Sequence, residues 1–322
     1  MINDVDSAMA LIAKHLFEPL ISRQNFASNQ NLDFAHYTNA ETAFKIIESE
    51  SFQMRNSRMM NDYSEISLGL DAVRSLFYKT HKGASIFWEK MRHHDNRFET
   101  IVDEHFAARS QLTLSKSYIG SLSEYDFNRR SNGKLSMWRS YGFPNGVALI
   151  FEREEILSEA GHLDIYSYPV IYTEQGLHVP ELIQCVESLA ENTEELYDYS
   201  GESIAEALVN ILLHLAVCIK DSNFTEEQEW RVVYTEKVSD ATTTDSPIKV
   251  VPVVLGGVAQ NVCRESLDQR APIQLKKILK AVVIGPTQHP HVTFDAFVRL
   301  LSKKDYKDPE LMVFRTNIPF RG

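Results

Sequence analysis

The chain has 322 residues, 43% hydrophobic content and 33 aromatic side chains (17 Phe, 13 Tyr, 3 Trp), which excludes wholesale disorder and supplies enough apolar mass for a sizeable core. A formal net charge of −11 and a pI near 5.5 argue against a general nucleic-acid coat, because an acidic surface repels phosphate backbones at long range. The three cysteines, Cys185, Cys218 and Cys263, are scattered with no CxxC pair, which points to reduced, buried thiols rather than a disulfide framework or a zinc knuckle.

The N-terminus lacks a basic segment followed by an apolar run, and no stretch approaches the ~20 apolar residues of a membrane span. The expectation is a cytoplasmic protein with no membrane partner. Residues 3–21 carry Val5, Met9, Ile12, Leu16 and Leu20 at helical spacing, which predicts an amphipathic helix, and Ser22 to Asn31 reads as a connector. Leu32 to Tyr37 reads as a strand. Thr38-Asn39-Ala40-Glu41 has the capping-box pattern, with Thr38 as the cap of a helix whose apolar face is Ala43, Phe44 and Ile47.

Phe52 to Arg55 is a short strand candidate. Asn61-Asp62 marks a turn, Glu65 opens a helical region, and 63–112 is predicted helical. Leu114 to Leu122 reads as a strand, Asn128 to Gly133 as a polar loop, and Leu135 to Tyr141 as a short helix closed by Gly142 and Pro144. Gly146 to Phe151 is almost wholly apolar, which predicts a strand buried on both faces. Residues 165–173 form another strand candidate. Residues 178–220 read as helices, followed by strands at 230–234, 248–255, 281–284 and 311–314 and a helix at 291–301. Strands and helices alternate without regular βαβ spacing, so the fold class is α+β, with mixed or antiparallel central sheets and flanking helices. The chain reads as one domain: an N-terminal helical part (1–31), a core (32–174 and 223–322) and a helical insertion (175–222).

Several chemistries are absent. There is no GxxxxGK[ST] loop, no GxGxxG after a strand, no GxSxG elbow and no HExxH. His93-His94 and His289-Pro290-His291 lack neighbouring ligands at metal-binding spacing, so no metal is expected.

What remains is a set of local patterns: His36-Tyr37-Thr38, Asn61-Asp62-x-x-Glu65, Ser121-Leu122-Ser123, Trp138-Arg139-Ser140-Tyr141-Gly142, and Glu226-Glu227-Gln228-Glu229-Trp230-Arg231. In this order, with the Gly146–Phe151 strand, they resemble the bacterial family called domain of unknown function 2971, from about residue 34 to the Pro319-Phe320-Arg321 ending. More remotely, their order resembles the ADP-ribosyltransferase fold of the histidine–tyrosine–glutamate type.

That second resemblance implies an NAD-consuming enzyme, an ADP-ribosyltransferase or NAD glycohydrolase acting as a bacterial toxin or phage-defence effector. Its acceptor macromolecule is open. By resemblance His36 would hold the adenosine-side ribose of NAD, Tyr141 would stack on nicotinamide, and Glu229 would face the nicotinamide ribose. Tyr37 and Thr38, Ser121 and Ser123, and Glu227 (the first acid of an ExE pair) would complete the NAD-binding set. A fixed carboxylate beside the ribose stabilises the positive charge that develops as the glycosidic bond breaks. The alternative is a non-catalytic module that binds a small-molecule ligand or a partner. On that reading His36 is a strand-end histidine satisfied by backbone, Trp138 and Tyr141 are packed aromatics, and Glu229 makes a surface ion pair with Arg231 or Arg139.

Overall fold

In the computed structural model, residues 4–18, 20–22, 25, 32–59, 63–78, 82–126, 132–142, 144–160, 165–174, 177–236, 248–255 and 257–319 are described. Asn61-Asp62, most of the 128–133 loop and the Phe320-Arg321 ending lie outside them. The strands, in chain order, are β1 (Asp33–Asn39), β2 (Ser51–Asn56), β3 (Ser117–Tyr125), β4 (Gly146–Phe151), β5 (Ile165–Pro169) and β6 (Ile171–Tyr172). They continue with β7 (Ile219–Lys220), β8 (Glu229–Thr235), β9 (Ile248–Leu255), β10 (Val258–Ser266), β11 (Leu279–Ile284) and β12 (Val313–Arg315). The class is α+β, and the chain divides into two compact units.

One unit gathers Met1–Phe26, Ser57–Ser117 and Tyr168–Thr225. It is mainly helical, with the two-residue strands β6 and β7 paired in parallel. The helix Gly201–Val217 is buried on most sides and runs through the core of this unit, with Glu202, Glu206, Asn210 and His214 as one narrow polar stripe beside a very wide apolar face. Gly69, in the helix Tyr63–Tyr78, permits one close approach: a Cβ there would lie 1.9 Å from the Ala216 carbonyl oxygen. On an exposed helix Gly→Ala stabilises by about 1 kcal/mol. At Gly69 the sign should reverse, with overpacking costing about 1–3 kcal/mol. Urea unfolding of Gly69→Ala should therefore show a lower midpoint, and a raised midpoint would contradict this packing. In the same unit Lys220, almost fully buried, meets Glu65 at 3.2 Å and stands 4.8 Å over the Phe224 ring, so Glu65 serves packing here.

The other unit comprises Ala27–Asn56, Tyr118–Ser167 and Glu226–Gly322, and it carries the patterns around His36, Ser121, Tyr141 and Glu229. Its mixed sheet has ten strands in the order β12-β11-β4-β1-β3-β2-β10-β9, with β8 joined to β3 and β5. The β11–β12 pair is parallel, whereas β4 pairs antiparallel with both β1 and β11. All six residues of β4 are buried, as its unbroken apolar run requires of a strand covered on both faces. On one face Phe34, Phe52, Leu149 and Trp230 pack with the helices Ala40–Ser49 and Pro290–Lys303, where Phe44 and Phe297 meet at 5.8 Å. On the other face a smaller cluster forms around Tyr37, Tyr125, Trp138, Ala148 and Val283.

Two local expectations are corrected. The helix after β1 is capped by Asn39, not Thr38: the Asn39 side chain accepts from the Thr42 backbone N–H at 2.8 Å, and Thr38 stays in the strand opposite Val147. The third strand begins at Ser117 rather than Leu114, because the preceding helix Phe98–Lys116 runs through Leu114, whose carbonyl accepts from the Ser117 N–H that caps it. Strand β10 and the helices Arg153–Ala160 and Leu275–Ile278 are additional elements without a sequence-level forecast.

Candidate functional site

The residues drawn together lie where β3, the loop before Leu135–Tyr141 and the start of β8 meet. Gly133 has φ +68, and a Cβ there would lie 2.8 Å from the Tyr37 hydroxyl and 3.0 Å from the Trp138 indole nitrogen. A glycine is therefore what lets this loop close over the two aromatics. The Tyr37 and Trp138 rings meet edge-on, 4.8 Å between centroids. The Lys134 backbone N–H donates to the Tyr37 hydroxyl at 3.1 Å, and Trp138 Nε1 donates to the Asn132 carbonyl at 2.8 Å. The short helix is thus pinned at its start, and Tyr141 stands half-buried at its last turn.

From there the Tyr141 hydroxyl donates to Glu227 Oε1 at 3.2 Å. The Glu227 carbonyl accepts from Ser123 Oγ and, at 2.9 Å, from Lys134 Nζ, which also donates to Ser123 Oγ at 2.9 Å. Lys134, Ser123 and Glu227 are all buried. Gln228 follows with φ +45, a left-handed conformation that costs a non-glycine residue of order 1 kcal/mol or more. It is held by the Gln228 carbonyl accepting from the Glu124 N–H at 3.0 Å. Tyr141, Glu227, Ser123 and Tyr37 therefore form one hydrogen-bonded corner, joined through Lys134. Nothing in the sequence marked Lys134, because a lysine in a polar loop ordinarily reads as solvated.

His36 does not join this corner. Side chains alternate along a strand. His36 pairs with Leu149 and shares its face, while Tyr37 pairs with Ala148 on the other. The His36 ring packs edge-on against Phe52, 5.0 Å between centroids, and its Nδ1 lies 3.1 Å from the Ser121 carbonyl. Burial holds its pKa below the usual 6.5, a shift only partly offset by that backbone bond, so the ring is neutral at pH 7. Ser121 contributes its backbone carbonyl to this contact, and Thr38 is buried in β1.

Glu229 is not a surface residue. It is 5% exposed and Arg231 is 0% exposed. Arg231 Nε donates to Oε1 at 3.2 Å and Nη2 to Oε2 at 3.3 Å, so both carboxylate oxygens face the guanidinium. The pair turns away from Trp230, which packs on Phe34 at 5.0 Å and donates from Nε1 to Glu124 at 2.9 Å. The expected surface pair is thus a buried one with Arg231; Arg139 is exposed.

The three cysteines are buried thiols outside any disulfide. His94 Nε2 lies 2.9 Å from the Tyr199 carbonyl, and His291 lies 2.6 Å from an Arg315 nitrogen. Among the described residues no group of three His, Cys, Asp or Glu side chains is placed to hold a metal ion, and no helix is long and apolar enough to cross a membrane.

No curated protein and no solved structure matches this chain. The family model described as "Protein of unknown function (DUF2971)" matches residues 137–232, a stretch that begins beside Trp138 and ends just beyond Arg231. The matched stretch contains the WxxYG and ExEWR patterns, whereas the patterns around His36, Asn61-Asp62 and Ser121 lie outside it.

Proposed function

We propose that this chain is a binding protein for a small nucleotide-type ligand such as NAD, with the ligand held at the corner of Tyr37, Ser123, Lys134, Tyr141 and Glu227, and that it binds without cleaving. The observation that carries the reading is the Tyr141–Glu227 hydrogen bond. It places an aromatic face and a carboxylate side by side, an arrangement suited to a planar ring with a polar edge. An ADP-ribosyltransferase-like core is part of this proposal, with the nicotinamide end of the ligand at Tyr141. Two features favour binding over turnover. His36 faces the opposite side of the sheet, and Glu229 has its charge met by Arg231, which leaves little free field for a developing ribosyl cation.

A second reading, NAD cleavage with Glu227 as the carboxylate, is favoured by the left-handed backbone of Gln228, since strain of this kind gathers at functional sites. Calorimetric titration of NAD into wild type, Tyr141→Ala and Glu227→Gln tests the site. Saturable binding by the wild type is expected, weakened about tenfold or more in Tyr141→Ala through lost stacking area. Affinity that is unchanged in both folded variants would remove this corner from ligand binding.

A further inference from the structure

On the opposite face of the same sheet, within the Phe52 and Phe151 side of the core, lies a cavity of about 40 Å³. Eight apolar side chains line it, among them Phe52, Leu122, Phe151, Val232 and Ile273, together with one polar residue, Glu265. Glu265 sits on β10 between Phe52 of β2 and Ile248 of β9. It is 5% exposed, and its Oε1 has no hydrogen-bond partner. A buried carboxyl in this condition is costly, and the cost is relieved by whatever supplies the missing donor.

The lining contains no basic side chain. The titratable neighbours do not supply a positive charge either. Cys263, two residues along β10, has its thiol pushed above the usual range chiefly by burial and secondarily by Glu265, while His36, packed on Phe52, is held neutral. The space is about three times what a single water needs, but an ordered water requires two or more polar partners and this wall offers one carboxyl. A primary ammonium, with three N–H donors, would be left under-satisfied in the same way. A tertiary ammonium has one N–H, one positive charge and otherwise alkyl surface.

We infer that this cavity is a binding site for a small tertiary ammonium ion, whose N–H donates to Glu265 Oε1 and whose alkyl groups meet Phe52, Leu122 and Val232. The contact is a charge-assisted hydrogen bond in a dry setting, the stronger class of such bonds. This site lies on the other face of the sheet from Tyr141 and Glu227, so it stands or falls independently of the proposed nucleotide site.

The test is titration of trimethylamine into the full chain at pH 8, followed by calorimetry and by the thermal midpoint. Saturable binding with a raised midpoint is expected. Glu265→Gln, which keeps the shape and removes the charge, should lower affinity at least tenfold. Val232→Phe, which fills the cavity and leaves the carboxyl in place, should abolish binding, with Val232→Ile, larger by one methylene, as the milder filling variant if the first does not fold. Tetramethylammonium, which has the charge but no N–H, and tert-butanol, which has a donor but no charge, should each bind at least tenfold more weakly. The absence of saturable trimethylamine binding to the wild type would overturn the inference. So would equal affinity in folded Glu265→Gln, binding undiminished in the folded filling variant, or a control molecule that binds as tightly as trimethylamine.

Discussion

Replacing Arg231 with methionine should destabilise the protein by about 3–5 kcal/mol, the usual cost of breaking a fully buried ion pair by removing one partner. The reason is asymmetry. Methionine takes up the space of the side chain, but Glu229 remains as a buried carboxylate without the guanidinium that faces both of its oxygens. Glu229→Gln leaves a buried arginine without its carboxylate and should cost a similar amount. The double change Glu229→Gln/Arg231→Met should be milder than the sum of the two, because desolvating two charges offsets much of what their attraction returns. Denaturant unfolding of the three variants checks this. Single-variant losses under 1 kcal/mol would mean that the pair is solvated and that Glu229 is free to act on a ligand.

Glu265→Gln should have the opposite consequence, and one that depends on pH. Burial raises the Glu265 pKa to about 7 from the usual 4.5. In the unfolded chain the carboxyl loses its proton near pH 4.5, whereas in the folded protein it keeps the proton until about pH 7. Below pH 4.5 both states are protonated and Glu265 adds no pH dependence. Between pH 4.5 and 7 the folded state binds more protons, so stability falls as pH rises; above pH 7 the loss is complete at about 3 kcal/mol. Glutamine does not titrate. The stability difference between variant and wild type, measured by urea unfolding, should therefore shift in favour of Glu265→Gln by about 3 kcal/mol between pH 4.5 and pH 8. A difference that stays constant across that range would show that the carboxyl is hydrated in the folded state.

How far the sequence disclosed these features depends on the kind of signal each one leaves. Gly146–Phe151 announced itself because a strand buried on both faces must be apolar throughout, and all six residues are buried. The adjacency of Tyr141 to the ExE segment followed from the family patterns. Strand β10 escaped because Val258–Ser266 mixes Gln260, Asn261, Arg264 and Glu265 among its apolar residues. The signal that could have found it is Gly257, whose φ of +80 suits the turn of the β9–β10 hairpin.

Pairing register, which the sequence does not state, decides the rest. Adjacent residues of one strand face opposite ways, so His36 and Tyr37 could not both enter the same corner, and only the partners Leu149 and Ala148 show which of them does. Burial of charge is equally hard to foresee. Lys134 and Arg231 carry the residue types of a solvated surface, yet one holds Ser123 and the Glu227 carbonyl and the other neutralises Glu229. Glu265 gave no signal, because its environment is assembled from β2, β3, β4 and β8, which are distant in the chain.

On the proposed function, the Tyr141–Glu227 corner binds a nucleotide without cleaving it. The most direct measurement is free nicotinamide over time in a mixture of NAD and the full chain, alongside NAD binding in the same preparation. Saturable NAD binding is expected, with nicotinamide release no faster than in protein-free buffer. Release well above that background, abolished in folded Glu227→Gln or Glu229→Gln, would contradict it and establish an NAD-cleaving enzyme; the absence of NAD binding would contradict it from the other side.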